Sequence, residues 1–320
     1  KALNQMLWDY QMYDQGKLYV SGANNFQWVP EVLEAEDVFV GVRLSGERLI
    51  RGSYAMCDAP QGIVQVTEPE SASNYDKMIA PEVVSDASGK AGKVLIQYGT
   101  GVKEVDAESA QAFVPEVPVI SHEVGQYQFY PDFNEIDRYT GPLKARNFEI
   151  FRERLQAAGL WADHERFFRS AGKLAIDCYR REIETFLRTS ELSGFQLLDL
   201  QDFPGQGTAL VGVLNAFMES KGLITPEDWR EFCASTVVLG EFGSFTFGNF
   251  DEIRFAVQVS ECDPRKVHTH VRCELLSGEA VIAEKTVPVV NTGKRLSEPV
   301  KVNFGEIGVE ENREFTVRLT

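Results

Sequence analysis

The sequence predicts an α/β domain over residues 1–235, followed by an all-β sandwich over residues 236–320. Two observations carry this prediction. In the first part, strand-like apolar segments alternate with helix-like segments, which implies parallel strands joined by right-handed crossovers. From about residue 236, six short segments alternate apolar and polar residues and are separated by turns, which is typical of an antiparallel sandwich. The 320 residues, of which 43% are apolar, are enough for two such cores.

The helices are predicted from apolar residues at three- and four-residue spacing and from the residues at their ends. No Ser, Thr, Asp or Asn cap precedes the first helix, so we expect it to belong to a larger body. Gly159 and Gly222 each close a later helix, and Thr225 caps a short last one. The predicted helices span residues 1–17, 146–159, 164–188 and 208–222, and the last one opens at residue 225.

The strands are predicted from short runs rich in branched and aromatic residues. Two of them, joined through Thr100 and Gly101, form a predicted hairpin. The predicted strands of the first domain span residues 17–22, 37–44, 48–58, 93–99, 101–106, 117–123 and 194–203. Those of the second domain span residues 244–250, 253–260, 267–276, 280–290, 299–307 and 313–319.

Charge and composition exclude several classes of protein. The net charge of -16 argues against nucleic-acid binding, which needs a basic face. No run approaches eighteen apolar residues, so no membrane span and no membrane partner are predicted. The composition fits a soluble protein that binds a neutral ligand.

Neither a cofactor nor a metal site is predicted. The cysteine count is odd and the spacings are wide, so these residues are interpreted as small core residues; they are Cys57, Cys178, Cys233, Cys262 and Cys273. His268 and His270 share a strand face, which favours plain strand residues over a metal pair because no third ligand is near. The Gly205-Gln206-Gly207 run lacks the lysine of a phosphate loop and is interpreted as a turn.

Polar side chains follow three of the predicted strands. His122 and Glu123 end the run "VPVISHE", Asp202 ends "FQLLDLQDF", and Asn24 and Asn25 follow "LYVSG". The carboxyl ends of parallel strands meet at one mouth, so we expect these groups to converge. A sugar site needs such a carboxylate, donors for hydroxyl groups, and aromatic faces. The aromatic candidates are Trp28, Tyr54, Tyr127 and Phe129, and Gln126 is a further polar candidate.

Each of these residues also has a structural interpretation. Glu123 is then an ordinary charged residue at a strand end, and His122 a structural hydrogen-bond donor. Asn24 and Asn25 then satisfy a turn. The aspartates Asp199 and Asp202 then bond loop amides, and the aromatic residues belong to the core.

The strand-end segments resemble glycoside hydrolase family 2, the family of β-galactosidases, β-glucuronidases and β-mannosidases. "ISHEVGQY" is similar to the segment of strand seven that carries the nucleophile, "GFQLLDLQDFPGQGTALVGVL" to strand eight and its helix, and "LYVSGANNF" to strand five. "PVISHEVGQY…YTGPLKARNFEIFRERL" resembles one subgroup of β-galactosidases.

The resemblance implies a partial (β/α)8 TIM barrel, strands five to eight, followed by an immunoglobulin-like β-sandwich. It assigns Glu123 as the nucleophile of a retaining exo-glycosidase that cleaves terminal β-galactosyl or related bonds. It further implies that His122 donates to a sugar hydroxyl and that Tyr54 hydrogen-bonds the nucleophile. An oligosaccharide or polysaccharide would be the substrate, and the location secreted or periplasmic. The alternative is a non-catalytic carbohydrate-binding or scaffolding protein on the same frame.

The family's acid/base glutamate belongs to an Asn-Glu pair before strand five. Here the single such pair, Asn134-Glu135, follows Glu123, which is the wrong order for that role. We therefore expect the acid/base to lie upstream of this chain. The chain by itself is expected to hydrolyse glycosides poorly and to self-associate through the exposed edges of a half-barrel.

Overall fold

The computed structural model combines helices with parallel and antiparallel sheets. It describes residues 1–22, 32–40, 42–45, 48–51, 71–74, 76, 93–98, 101–106, 116–207 and 209–320. Within these, side chains are not described for residues 42–45, 48–51, 93–98, 101–106 and 123. No helix in these ranges is long and apolar enough to cross a lipid bilayer.

Four of the predicted helices are confirmed. They are α1 (Ala2–Tyr13), α2 (Arg146–Ala157), α3 (His164–Arg188) and α4 (Pro226–Arg230), with 3-10 turns at Phe133–Arg138 and Trp161–Asp163. The predicted cap of α4 is present, since the Thr225 hydroxyl oxygen accepts from the Asp228 amide at 3.1 Å. Gly159 follows α2 with φ +73°, a conformation that glycine adopts without steric cost.

Thirteen strands lie within the described residues. They are β1 (Phe39–Val40), β2 (Val42–Ser45), β3 (Arg48–Arg51), β4 (Lys93–Tyr98), β5 (Gly101–Asp106), β6 (Val119–Gly125), β7 (Leu192–Leu198), β8 (Thr236–Glu241), β9 (Glu252–Glu261), β10 (His270–Ser277), β11 (Ala280–Pro288), β12 (Val300–Glu306) and β13 (Thr316–Leu319). β2, β3, β4 and β5 form one sheet in that order. The predicted hairpin of β4 and β5 is confirmed, because Tyr98 pairs with Gly101.

A parallel sheet with the order β1-β6-β7 confirms the parallel pairing predicted for the first part of the chain. α3 is the last helix between β6 and β7 in the chain, and it covers one face of this sheet. Val119 and Val124 of β6, Leu192 of β7 and Phe186 of α3 form a buried apolar cluster there. The face that contains Val119 and Val124 is therefore covered by α3.

The last third of the chain forms two antiparallel sheets, ordered β12-β9-β8 and β11-β10-β13. Alternate residues of β9 and β10 enter one apolar core between the sheets, and they are Ile253, Phe255, Val257, Val259, Val271, Cys273 and Leu275. This arrangement is consistent with a β-sandwich.

Helix α1 contacts residues beyond the helix through both apolar and polar side chains. Leu7 is buried, the Asn4 side-chain oxygen accepts from the Ala35 backbone amide at 2.8 Å, and the Gln11 side-chain amide donates to the Ala35 backbone carbonyl at 3.0 Å. The apolar residues that predicted this helix are largely exposed, and they include Leu3, Met6, Tyr10 and Tyr13. The helix was therefore predicted correctly, but of its apolar residues Leu7 is buried while most of the others are exposed.

Two predicted strands are absent where they were expected. Over residues 17–22, side chains take the backbone donors: the amides of Tyr19 and Ser21 donate to the carboxylates of Asp37 and Glu36 at 2.8 and 2.7 Å. No ladder forms there. Residues 244–250 form turns, and the first strand of the antiparallel sheets is β8 instead.

The predicted helix over residues 208–222 is wrong, because residues 209–222 form an irregular segment. A Cβ atom on Gly212 would lie 2.2 Å from the carbonyl carbon of Gln201, so the backbone at this glycine packs directly on another segment. The Asn215 side-chain oxygen accepts from the amides of Phe217 and Glu219 at 2.9 and 3.0 Å. Such local bonds replace helical ones.

The described cysteines differ in environment. Cys178 and Cys273 are buried as predicted, and burial raises the pKa of Cys178 to about 12. Cys233 is half-buried. Cys262 is exposed, which corrects its prediction as a core residue. Cys57 lies outside the described residues.

Candidate functional site

The ladder between β6 and β7 is irregular at the polar end of β6. Ser121 pairs with Phe195, and the next pair along is Val124 with Leu197. Three steps on β6 therefore match two steps on β7, which is a β-bulge centred on His122 and Glu123. Bulges re-aim side chains and are over-represented beside active sites.

His122 lies on the sheet face opposite α3. Val119 and Val124 of β6 pack against Phe186 of α3, whereas His122 is half-buried and Gln196 of β7 is exposed. The His122 Nδ1 atom lies 3.1 Å from the Gln196 side-chain oxygen. This hydrogen bond orients the imidazole beside the exposed Gln196 side chain.

The chain leaves β6 through a sharply constrained turn. Gly125 has φ +102° and Gln126 has φ +64°, in the left-handed region. The Gly125 amide donates to the buried Glu182 carboxylate at 3.0 Å, and the Gln126 amide donates to the Leu198 carbonyl at 3.1 Å. Contacts from α3 and β7 thus set the direction of the chain just after the bulge.

Asp202 forms a buried ion pair with Lys221. Both carboxylate oxygens of Asp202 lie 2.8 Å from the Lys221 Nζ atom, and each side chain is 3% exposed. Asp202 Oδ1 also accepts from the Gly212 amide at 3.0 Å. Burial raises the pKa of Asp202 and lowers that of Lys221, and in each case the partner's charge opposes the effect. The substrate-binding role of Asp202 stays a prediction, because its carboxylate is engaged inside the molecule.

Glu135 lies beside this ion pair. The residue is 4% exposed, and its Oε2 atom has no hydrogen-bond partner among the described residues. Burial, and after it the charge of Asp202, raise the pKa of Glu135 to about 7, although Lys221 acts in the opposite direction. The Glu135 carboxyl is therefore partly protonated at neutral pH, unlike an ordinary glutamate.

The burial of Glu135 was not predicted from the sequence. The apolar residues on either side of the Asn134-Glu135 pair, Phe133 and Ile136, were the available signal. Phe133 is buried with Ala145, Phe148 and Leu210 in one apolar cluster, which draws this 3-10 turn inwards.

A cleft of about 210 Å³ separates this 3-10 turn from the beginning of α3. Its polar lining comes from both sides and includes Asp132, Asn134, His164, Glu165, Arg169 and Lys221. Carboxylates and cations are mixed in this lining, so it has no strong preference for one sign of charge.

The remaining site predictions fall in two groups. Asn24, Asn25, Trp28 and Tyr54 lie outside the described residues, as does the side chain of Glu123. Of the aromatic candidates, Phe129 is 1% exposed, with Lys221 Nζ 4.4 Å from its ring centroid. Tyr127 packs edge-on against Tyr179, with ring centroids 5.3 Å apart. Both are therefore held within the protein.

The histidines considered for a metal site are separated. His268 Nε2 lies 2.7 Å from a Glu261 carboxylate oxygen, and His270 is exposed at the beginning of β10. Burial opposes ionisation of Glu261, but hydrogen bonds from Thr236, His268 and Asp263 outweigh it and bring its pKa down to about 2. Within the described residues, no three His, Cys, Asp or Glu side chains form a group that could hold a metal ion.

No known family model matches this sequence, and no curated protein matches it significantly. The resemblance to glycoside hydrolase family 2 therefore stays a prediction from the strand-end motifs quoted above.

Proposed function

We propose that this chain is the carboxyl-terminal part of a retaining exo-glycosidase of the family-2 type, acting on terminal β-galactosyl or related residues. The observation that supports the proposal is the β-bulge at His122 and Glu123, near the carboxyl end of a parallel strand. In this proposal, β1, β6 and β7 belong to a partial TIM barrel, and β8 to β13 form an immunoglobulin-like sandwich.

The proposed chemistry needs two carboxyl groups. The Glu123 carboxylate attacks the anomeric carbon and forms a glycosyl-enzyme, while a second carboxylic acid protonates the departing oxygen and then activates water. Retaining enzymes place these groups about 5–5.5 Å apart. With His122 Nδ1 donating to the Gln196 oxygen, the Nε2 atom of the neutral imidazole accepts a hydrogen bond from a sugar hydroxyl in this proposal.

Glu135 does not supply the second carboxyl group in this proposal. Its carboxyl is partly protonated near pH 7, but Glu135 is not among the residues that line the adjacent cleft, and it follows Glu123 in the chain, which is the wrong order for that role. As the family resemblance implies, the acid/base in this proposal is a different carboxylate, which precedes these 320 residues. We therefore expect negligible turnover of an aryl β-galactoside by the 320-residue chain.

Covalent trapping tests the proposal. The full-length polypeptide that contains this chain is treated with an activated 2-fluoro-β-galactoside, digested and analysed by mass spectrometry. We expect one sugar adduct on the peptide that contains Glu123, and none in Glu123→Gln. Glu116→Gln, at an exposed position just before β6, is the matched control and should label normally. A label on another residue, or no label, would contradict the assignment.

Non-catalytic carbohydrate binding is the second candidate, and the same open face favours it. His122 and Gln196 offer hydrogen-bonding groups there irrespective of any nucleophile. Galactoside binding measured by calorimetry, without an adduct on Glu123, would support this candidate instead.

A further inference from the structure

Two segments that leave the parallel sheet meet at a cluster of three buried ionisable side chains. Glu135 belongs to the 3-10 turn after β6, and Asp202 and Lys221 belong to the segment after β7. We call these three residues the acid–lysine cluster, and residues 199–207 and 209–222 the return segment. The cluster holds two carboxyl groups and one ammonium group, all nearly inaccessible to water.

Charge balance in this cluster depends on one proton. With Glu135 neutral, Asp202 and Lys221 form a balanced ion pair at 2.8 Å. With Glu135 ionised, the same lysine faces two buried carboxylates, and the cluster carries an uncompensated negative charge. An unpaired buried charge is strongly unfavourable. Ionisation of Glu135 therefore favours exposure of the cluster to water or separation of Asp202 from Lys221.

The return segment depends on this ion pair for its shape. Asp202 and Lys221 lie near its two ends, and the Gly212 amide between them donates to the same Asp202 carboxylate. The segment also has an outer link, in which Arg138 of the 3-10 turn forms a two-fold ion pair with Glu219 at 2.6 and 2.8 Å. That outer pair is about half exposed and contributes little.

We propose that the acid–lysine cluster is a proton-dependent latch: it holds the return segment against the turn at Phe133–Arg138 while Glu135 is uncharged, and releases it when Glu135 ionises. The unpartnered Glu135 Oε2 atom marks the place where the closed arrangement has no compensation for a second negative charge. The inference does not depend on the proposed glycosidase activity.

The charged and titratable neighbours define the pH range. Those on the same turn and on the return segment are Asp132, Arg138, Tyr139, Asp202, Glu219 and Lys221. Across the cleft, α3 contributes His164, Glu165 and Arg169. Because histidine is the residue type that ordinarily changes charge near neutrality, the experiment has to separate His164 from Glu135.

The direction of the effect follows from proton binding. The pKa of Glu135 is raised from 4.5 to about 7 in the closed form and returns to its ordinary value when the segment opens. Between these values the closed form binds more protons than the open form. The opening equilibrium constant therefore rises with pH by up to about tenfold per unit across that interval and levels off above it.

Hydrogen exchange of backbone amides tests the latch. Exchange by the return segment is measured between pH 4.5 and 8, corrected for the intrinsic pH dependence of amide exchange, and compared with β10 in the same molecule. We expect a steep rise of opening with pH in the return segment and none in β10. Glu135→Gln should remove the rise, while Glu153→Gln, at an exposed position on α2, should keep it.

The other outcomes also decide the question. His164→Asn should retain the rise; loss of the rise in this variant, with retention in Glu135→Gln, would assign the effect to His164 and overturn the proposal. A flat wild-type profile, or an equal rise in β10, would overturn it as well. If Glu135→Gln does not fold, the wild-type comparison of the return segment with β10 still decides between these results.

Discussion

Gly125 shows at the scale of one residue why the chain turns where it does after β6. Its φ of +102° lies in a region that side chains with a Cβ atom avoid. The Tyr179 ring fills the space beside it, and the hydroxyl of Tyr179 donates to the Val211 carbonyl at 2.5 Å. Gly125 of β6 therefore allows the close contact with Tyr179 of α3, which in turn hydrogen-bonds the return segment.

Gly125→Ala is expected to lower the free energy of unfolding by about 3 kcal/mol, because it adds backbone strain to an overpacked contact. The added Cβ atom would lie 2.2 Å from the Tyr179 ring. Urea unfolding followed by tryptophan fluorescence measures the change. Gly141→Ala, where no atom lies within 4 Å of the new methyl group, should be close to wild type. Equal stability of both variants would contradict the prediction.

Residue-level prediction from the sequence succeeded where a pattern was local. The apolar run before His122 placed this residue near the end of a strand, and Thr225 followed by proline placed a helix cap. The burial of Glu135 did not follow from its neighbours in the chain, because Asp202 and Lys221 are distant in sequence. The β-bulge likewise depends on pairing with β7, which no local pattern encodes.

At the scale of elements, Arg295 connects the antiparallel sheets to the parallel sheet. Its guanidinium donates to the carbonyls of Leu187, Thr189 and Leu192 at 2.8, 2.6 and 3.3 Å. These carbonyls lie at the end of α3 and the beginning of β7, where helical carbonyls lack partners within the helix. The Arg295 side chain thus supplies hydrogen-bond donors to carbonyl groups at and just after the end of α3.

Arg295→Met is expected to lower the free energy of unfolding by about 2–4 kcal/mol, because it leaves buried carbonyl groups without a donor while keeping most of the apolar stem. Guanidinium unfolding monitored by circular dichroism measures this loss. Arg313→Met changes an exposed arginine in the same part of the chain and is the matched control. A loss of similar size in Arg313→Met would show that general charge effects, and not these hydrogen bonds, are responsible.

Elements were predictable where apolar periodicity agreed with the packing. α2 and α3, and five of the six strands predicted after residue 236, lie where the pattern indicated. The failed helix at residues 208–222 has suitable apolar spacing, but Gly212 and Asn215 make contacts that an isolated sequence pattern does not reveal. Tertiary contacts there override helix propensity.

At the scale of the whole molecule, the parallel sheet has open edges within the described part of the chain. β7 pairs with β6 on one side and has no ladder partner on the other among the described residues. An unpaired strand edge is a template for association. The net charge of -16 opposes such contact at low ionic strength, and salt screens that repulsion.

We therefore expect the 320-residue chain to self-associate more at about 0.5 M salt than at about 0.02 M, because the Debye length shortens severalfold. Sedimentation velocity over a range of concentrations measures the association. Ser193→Lys places a charge at an exposed position of β7 and should weaken it, whereas Ser170→Lys at an exposed position of α3 should not. A monomer under all these conditions would show that the edge of β7 is not available.

The bulge in β6 also changes which residues face each side of the sheet before and after it. A regular strand assigns each residue to a side by odd or even position, so a one-residue slip anywhere reverses everything downstream. The extra residue of the bulge, at His122 and Glu123, shifts the alternation by one position. Val124 therefore faces the core beneath α3, as Val119 does. Deleting one residue at this point would remove the bulge and leave a regular ladder, in which Val124 still pairs with Leu197 and still faces the core beneath α3.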